Sequence, residues 1–432
     1  MQSLRVRVYN VRFGDAILIS VPEEAEDAIV LRHILIDVGN ALGTAGGQDF
    51  VFKPILNDIR AQLNGAPIDL YIMTHEHMDH VQGLFYGETK EALPRLPVSN
   101  AWITASAEDG YYERQWPKED GDDKPLKQPG QARLEAAAAY EAGAQFVAAL
   151  RLAGVTTNPF VDALLNVNNP NSSQDCVDYL RQLAPPANTH YVYRGKDRLD
   201  ERHPFKTAKL DLWGPEENTA IYYGEFRQVS LGLAPGEAGE PATLADVAPP
   251  PGVDAGAFYR LVAYRRGNVL GNLLAIDKAK NNSSVVLFLQ WRGWKLLFPG
   301  DAEIRSWQEM DKRGQLQPVH FLKISHHASE NGTPEDQLFN KLFPLTPPDR
   351  RSRVAVASTF DHVYDPIPHP HTLERYQARG VRTYKVHAEL EDFSPKDKPD
   401  QPPVIGYLDF LFPPDGETIS IELGRLALEP GS

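Results

Sequence analysis

The sequence predicts an α/β fold in which strand-rich text at both ends flanks a long, partly helical insertion. Three observations carry that reading. Short apolar runs, several with period-two alternation, cluster in residues 4–74 and again in 282–425. Several of these runs stop at a glycine turn or at an Asp or His, which is where α/β folds place their sites. Between the two blocks, over about residues 106–275, the text turns alanine-rich and then rich in Pro and Gly.

Taken in order, LRVRVYNVRFGDAILISV (4–21) reads as two strands joined at Gly14-Asp15. HILIDVGN (33–40) reads as a buried strand ending in Asp37, and PIDLYIMT (67–74) as another. QARLEAAAAYEAGAQFVAALRLA (131–153) has the composition of a strong helix, and 173–183 forms a second. Residues 235–256, PGEAGEPATLADVAPPPGVDAG, hold too much Pro, Gly and Ala for regular structure and read as a mobile loop or lid. A helix over 257–279 follows, with Arg265 and Arg266 on a face expected to be solvated. NSSVVLFLQWRGWKLLFPGD (282–301) then predicts a hairpin turning at Arg292-Gly293. VHFLKIS (319–325) and RVAVAST (353–359) are further strands, and VIGYLDFLF with TISIEL forms a last hairpin about Asp415-Gly416. The expected organisation is two halves of one domain, 1–105 and 276–432, around the insertion 106–275.

Composition sets the outer limits. A chain of 432 residues with 42% hydrophobic content can bury a large core. Its net charge of −14 argues against a generic nucleic-acid coat, whose affinity comes from cations on phosphates. Cys176 is the only cysteine, so neither a disulfide framework nor a thiolate zinc finger is available. No apolar run approaches the roughly 18 residues of a bilayer span, and residues 1–11 lack the apolar stretch of a secretory signal. A soluble cytoplasmic protein with no membrane partner is expected.

The densest chemistry lies in THEHMDH (74–80), three histidines and an aspartate in seven positions. A polar loop that happens to be rich in histidine is the bland reading; a metal site is the sharp one. His75 and His77, two apart on an extended segment, point one way and grip one ion. Asp79 and His80, where the chain bends into a helix, grip a second. Other strand ends supply the same residue types: Asp301 in FPGDAE, His326 and His327 in SHHAS, His369 and His371 in IPHPH. That convergence favours the metal site.

HxHxDH after an apolar strand, then GD, then HH, resembles the metallo-β-lactamase fold superfamily, and more narrowly its ComEC-type, competence-protein branch. VRFGDAIL resembles that branch's opening hairpin, with its usual VGQGDA altered at Arg12 and Phe13. LIDVGN, the HxHxDHxxG element through Gly83, NNSSVVLFL, FPGDAE, LKISHHAS and the final HPH run follow in the family's order. The likeness covers about 4–105 and 276–425 and leaves the insertion uncovered. It implies a four-layer αβ/βα sandwich with zinc, one or two ions, or alternatively manganese. It implies His75, His77, Asp79, His80, Asp301 and one of His326 and His327 as ligands. His327 is favoured, leaving His326 beside the ligands or on substrate. Asp37 would orient a ligand imidazole. Lys323, read as facing solvent with substrate contact as the alternative, and Asn282 complete the surroundings.

One departure stands out: many superfamily members carry a further histidine before GD, where this chain reads KNNSSVV with Asn281 and Asn282. The first ion would then bind more weakly or favour manganese. The implied reaction is hydrolysis by water that the metal activates, oriented by Asp79 and Asp301, with His327 or His369 protonating the leaving oxygen. The expected substrate is a phosphodiester in single-stranded nucleic acid or a nucleotide. Two alternatives are a lactone, thioester or amide hydrolase, and an effector module of a bacterial defence or competence system that binds a protein partner through 106–275 and acts only in complex.

Overall fold

The alternating N-terminal text folds into antiparallel strands β1 (Leu4–Tyr9) and β2 (Ala16–Ala25), with Val6 opposite Ile19. β3 (Ala28–Val38) pairs antiparallel with β2, and β4 (Leu70–Met73), β5 (Ala101–Thr104) and β6 (Thr189–Val192) then add in parallel. Beyond β1, the C-terminal strands β13 (Gly406–Phe412) and β14 (Ser420–Arg425) complete an eight-stranded sheet in the order β14-β13-β1-β2-β3-β4-β5-β6. Six strands form a second mixed sheet. In it β7 (Ala208–Gly214), β8 (Val286–Trp291) and β9 (Trp294–Phe298) are antiparallel neighbours. β10 (Phe321–Lys323), β11 (Val354–Ala357) and β12 (Arg382–Lys385) continue from β9 in parallel. The β8–β9 turn puts Arg292 (φ 45°) and Gly293 (φ 82°) in the left-handed region, as a two-residue hairpin requires.

This computed structural model describes residues 2–25, 28–40, 49–114, 116, 128–152, 159–224, 268–361, 367–394, 397–398 and 400–428. It divides into two compact units: Met1–Asp109 with Pro170–Glu217 and Asn281–Ser432, and Gly110–Asn169 with Asn218–Lys280. Both sheets belong to the first. Side chains from the two sheets, such as Val6, Ile19, Ile34 and Ile72 with Leu287, Leu289, Phe298 and Val356, share one buried apolar cluster. The other face of the eight-stranded sheet, through Leu18, Leu35 and Tyr71, packs on α1 (Phe52–Leu63), α2 (Met78–Thr89) and the helix Pro170–Arg181. α1 shows why it is a helix: Ile55, Leu56, Ile59 and Leu63 are buried at helical spacing on one face. The six-stranded sheet packs its other face on helices Ile304–Lys312, Asp336–Leu342 and Pro370–Gln377 through Trp307, Met310, Phe339 and Tyr376.

Two differences from the sequence expectation concern boundaries. Residues 170–217, read as part of the insertion, supply β6 and β7, which pair with β5 and β8 in the first unit. β6 ends its sheet with three of its four residues only half-buried, so it lacks the continuous apolar run that marks an interior strand. At the last hairpin, Asp415-Gly416 lies within a longer connection, because β13 ends at Phe412 and β14 starts at Ser420. In the second unit, the alanine-rich helix Pro129–Leu152 sets Ala136 and Ala139 against Ile276 of the helix Asn268–Asn282. The helix expected over 257–279 is described only from Asn268, and the loop 235–256, Arg265 and Arg266 lie outside the described residues. No helix among the described residues is long and apolar enough to cross a membrane.

Candidate metal centre

The site grows from the C-terminal ends of parallel strands. β3 delivers Asp37, whose backbone is forced into the left-handed region at φ 50°. Its Oδ1 accepts the Thr74 N–H at 2.8 Å, and its Oδ2 accepts the Thr74 hydroxyl at 2.5 Å. Oδ2 also faces His80 Nδ1 at 2.8 Å. The carboxylate thereby pins the end of β4 and turns His80 so that Nε2 points away from it, toward Asp301 Oδ2 at 3.3 Å. Past β4 the chain bends at His77, the N-cap of α2, and Asp79 sits in the first helical turn, where the helix dipole favours a carboxylate. The bend passes very close to the end of β3. A Cβ on Gly39 would lie 2.1 Å from the Asp79 carbonyl carbon, so only glycine fits there.

The six-stranded sheet answers from across. β9 runs into Gly300-Asp301, and the Asp301 N–H donates to Ser284 Oγ at 3.1 Å. After β10, His326, His327 and Ala328 take φ values of 47°, 52° and 67° in succession. Such residues cost about 1–3 kcal/mol each and persist where surrounding structure dictates them, typically at functional sites. Ser325 anchors the turn by donating to Gly300 O at 3.2 Å, and His327 Nδ1 donates to Ser358 O at 2.7 Å. Since a carbonyl only accepts, the proton belongs on Nδ1. That leaves Nε2 facing Asp79 Oδ2 at 3.1 Å and Asp301 Oδ2 at 3.3 Å.

Asp79, His80, Asp301 and His327 thus present four ligand atoms within 4.8 Å of one another, and all four residues are buried. Asp79 Oδ1 and Asp301 Oδ1 are buried without a hydrogen bond. Two such carboxylate oxygens side by side would be costly unless something else satisfies them. Two imidazole nitrogens and two carboxylates, one histidine held from behind by Asp37, are a donor set that suits a divalent cation of the zinc kind.

The charges respond accordingly. Burial opposes ionisation of Asp79, but the charge on His80 and the His327 hydrogen bond more than offset it, bringing the carboxyl to about 2. Asp301 is likewise held well below its ordinary range, because the rings of His327 and His80 outweigh burial. Burial opposes protonation of His327, yet Asp301 and Asp79 raise it to about 10. His80 is raised for similar reasons, chiefly by Asp301 and Asp79 against burial. Protons on two rings therefore balance two carboxylates where a cation would otherwise do so.

His75 and His77 lie outside this group of four, His75 Nε2 being 3.1 Å from His77 Nδ1 and the His75 ring packing on His80 with centroids 4.2 Å apart. His75 Nδ1 is 3.1 Å from Thr74 Oγ1 and 3.3 Å from Ser284 Oγ. Burial first, then the charges of His80 and His77, push its pKa well down and keep the ring neutral. His326 also lies outside the quartet, with Nδ1 3.3 Å from Glu303 Oε1 and Nε2 3.4 Å from Asn281 Nδ2. The His369 backbone N–H donates to Ala328 O at 2.9 Å, beside the histidine turn, and its Nδ1 is buried without a hydrogen bond. His371 is exposed and reaches Glu374 at 3.0 Å.

One assignment changes. Lys323 does not face solvent: its side chain is 1% exposed and its Nζ lies 2.7 Å from Asp15 Oδ2. β10 is flanked by β9 and β11 and covered on both faces, so alternation along it exposes nothing. Asn282, expected in the surroundings of the site, bonds the segment that follows Asp301. Its Oδ1 accepts from Ser306 N (2.9 Å), Ser306 Oγ (2.8 Å) and Glu303 N (3.2 Å), and so caps the helix Ile304–Lys312. Thr74, Ser284, Ser358 and Asp15 are site residues that the sequence reading passed over. The detectable signal was a lone polar group at the end of each apolar run, and a lysine inside FLKIS that demands an acid partner. The chain matches no protein-family model and no curated protein.

Proposed function

We propose that this protein is a metal-dependent hydrolase of the metallo-β-lactamase fold, ComEC-type branch, that cleaves a phosphodiester in single-stranded nucleic acid or a nucleotide. The observation that carries the reading is the convergence of Asp79, His80, Asp301 and His327 at strand ends of both sheets, with a buried carboxylate oxygen of both Asp79 and Asp301 otherwise unsatisfied. The succession of helices, sheet, sheet and helices around three apolar clusters supports the four-layer sandwich. A divalent cation bound at the quartet supplies Lewis acidity, lowering the pKa of water and drawing charge from a phosphoryl oxygen.

The chain's own residues set the rest. Asp37 and Ser358 hold the His80 and His327 rings with Nε2 inward. His327 is engaged there, so the proton for the departing oxygen is assigned to His369, whose backbone N–H is tied to Ala328 O next to His327. The net charge of −14 favours a short strand or small nucleotide over long duplex. Purified protein with Zn²⁺ or Mn²⁺ is expected to cut at least one of single-stranded DNA, RNA, a cyclic nucleotide and bis-p-nitrophenyl phosphate. Activity confined to a parallel lactone and thioester panel, or none at all, refutes the phosphodiester reading.

A further inference from the structure

The quartet is drawn evenly from two sources. Asp79 and His80 ride on the first turn of α2, just past β4 of the eight-stranded sheet, and Asp301 and His327 on the turns after β9 and β10 of the six-stranded one. The separation of the sheets at that level therefore decides whether four side chains can share one ion. At the same level, Lys323 on β10 reaches across to Asp15 beside the β1–β2 turn, Nζ to Oδ2 at 2.7 Å, with both side chains at 2% exposure or less. Asp15 is itself bonded to the ligand loop. Its N–H donates to Asp79 O at 3.1 Å, and its carbonyl accepts the Gly39 N–H at 2.9 Å. At the other end Lys323 Nζ also donates to Ile324 O at 3.2 Å, at the root of the histidine turn. One short polar path thus runs from the peptide of Asp79 through Asp15 and Lys323 to the strand that carries His327.

We infer that the Lys323–Asp15 ion pair is an inter-sheet clamp that holds the two halves of the quartet at ion-binding separation, making both residues positioning residues for the cation. The inference rests on the metal-centre reading above. Stability alone does not account for the pair, because an apolar pair of similar volume is often as stable as a buried ion pair. What an apolar pair lacks is a fixed direction and a short fixed distance, and those are what a split ligand set requires.

The test uses the full chain, with Zn²⁺ affinity measured against a chelating dye and the d–d absorption of the Co²⁺-loaded protein as a geometric signature. In the double variant Asp15→Asn/Lys323→Met, both charges go while shape is nearly kept. The metal-free unfolding midpoint is expected to stay close to that of the parent, while Zn²⁺ binding weakens at least tenfold and the Co²⁺ spectrum changes. Affinity within twofold and an unchanged spectrum overturn the clamp and leave the pair purely structural. If the double variant does not fold, Lys323→Arg, which keeps the charge but lengthens the tether, is read by the same two measurements and the same thresholds. A parent protein that binds neither Zn²⁺ nor Co²⁺ removes the metal centre itself, a failure distinct from that of the clamp.

Discussion

His75 with His77, and Asp79 with His80, lie within six residues of one another, yet the fold treats the two pairs differently. Asp79 and His80 meet Asp301 and His327 from the opposite sheet, and each ring is oriented by a hydrogen bond on its far nitrogen. His75 and His77 lie outside that group: His75 contacts His77 and packs its ring on His80 with centroids 4.2 Å apart, and Ser284 is the neighbour that the second sheet offers it. Residue type alone therefore does not make a strong site. Partners from a second scaffold and orientation from behind do, and by that measure the quartet should bind its ion first and more tightly.

The largest effect is expected on breaking the quartet. Asp301→Asn removes one charged ligand and one of the two carboxylates that face both His80 and His327. Zn²⁺ affinity should fall by more than about 100-fold, since changes at residues that only orient ligands already cost about 10–100-fold. Metal analysis after dialysis reads this directly, and retained stoichiometric zinc would contradict the assignment.

Next comes pH. Without metal, protons on His80 and His327 neutralise Asp79 and Asp301, so a cation must displace them. Zn²⁺ affinity should rise between pH 6 and 8, with up to two protons released per ion, seen by calorimetry in buffers of different ionisation enthalpy. The metal-free protein should show the opposite trend. His327 titrates at about 10 when folded against an ordinary 6.5, so its contribution to stability is complete below about 6.5 and is lost as pH rises through 10. Thermal unfolding of the metal-free form should therefore fall over that window, and pH-independent midpoints would show that the rings are not charged.

The quartet was only partly legible in the sequence. HxHxDH, the aspartate after FPG and the double histidine stand at the ends of apolar runs, and strand ends are where α/β folds gather side chains, so local pattern sufficed to nominate them. Which histidine of the SHH turn enters the group is settled by three successive left-handed residues, a backbone feature that no side-chain pattern encodes. Lys323 was misread because period-two alternation identifies exposed positions only when one sheet face is wet, and β10 has none. The helix-capping contact of Asn282 is not legible in the sequence, because its partners lie in a helix that starts after Asp301 and tertiary packing sets the contact. β6 and β7 were absorbed into the insertion since their pairing partners are remote in sequence, with β7 set against β8 some 80 residues later.

Asp37→Asn tests orientation rather than ligation. It keeps shape and the acceptor for Thr74 but weakens the hold on His80 Nδ1, so Zn²⁺ affinity should drop by about 10–100-fold, less than for Asp301→Asn. An equal loss in both variants would mean that Asp37 supports the fold rather than the ring, and the metal-free unfolding midpoint separates those outcomes.

The smallest effect on the quartet sharpens the comparison most. In His77→Ala the group of four keeps all its members, because His77 belongs to the pair and contacts His75. Affinity for the first equivalent of Zn²⁺ should change by less than about threefold, well below the roughly 10–100-fold cost of losing a residue that orients a ligand. Any second, weaker equivalent should disappear, since His75 alone offers one nitrogen and a four-coordinate ion needs more. Titration with two equivalents of Co²⁺ resolves the two events in one experiment. If His77→Ala instead abolishes the first event, the pair and the quartet form one cooperative site, and the separation drawn from their hydrogen bonds does not hold.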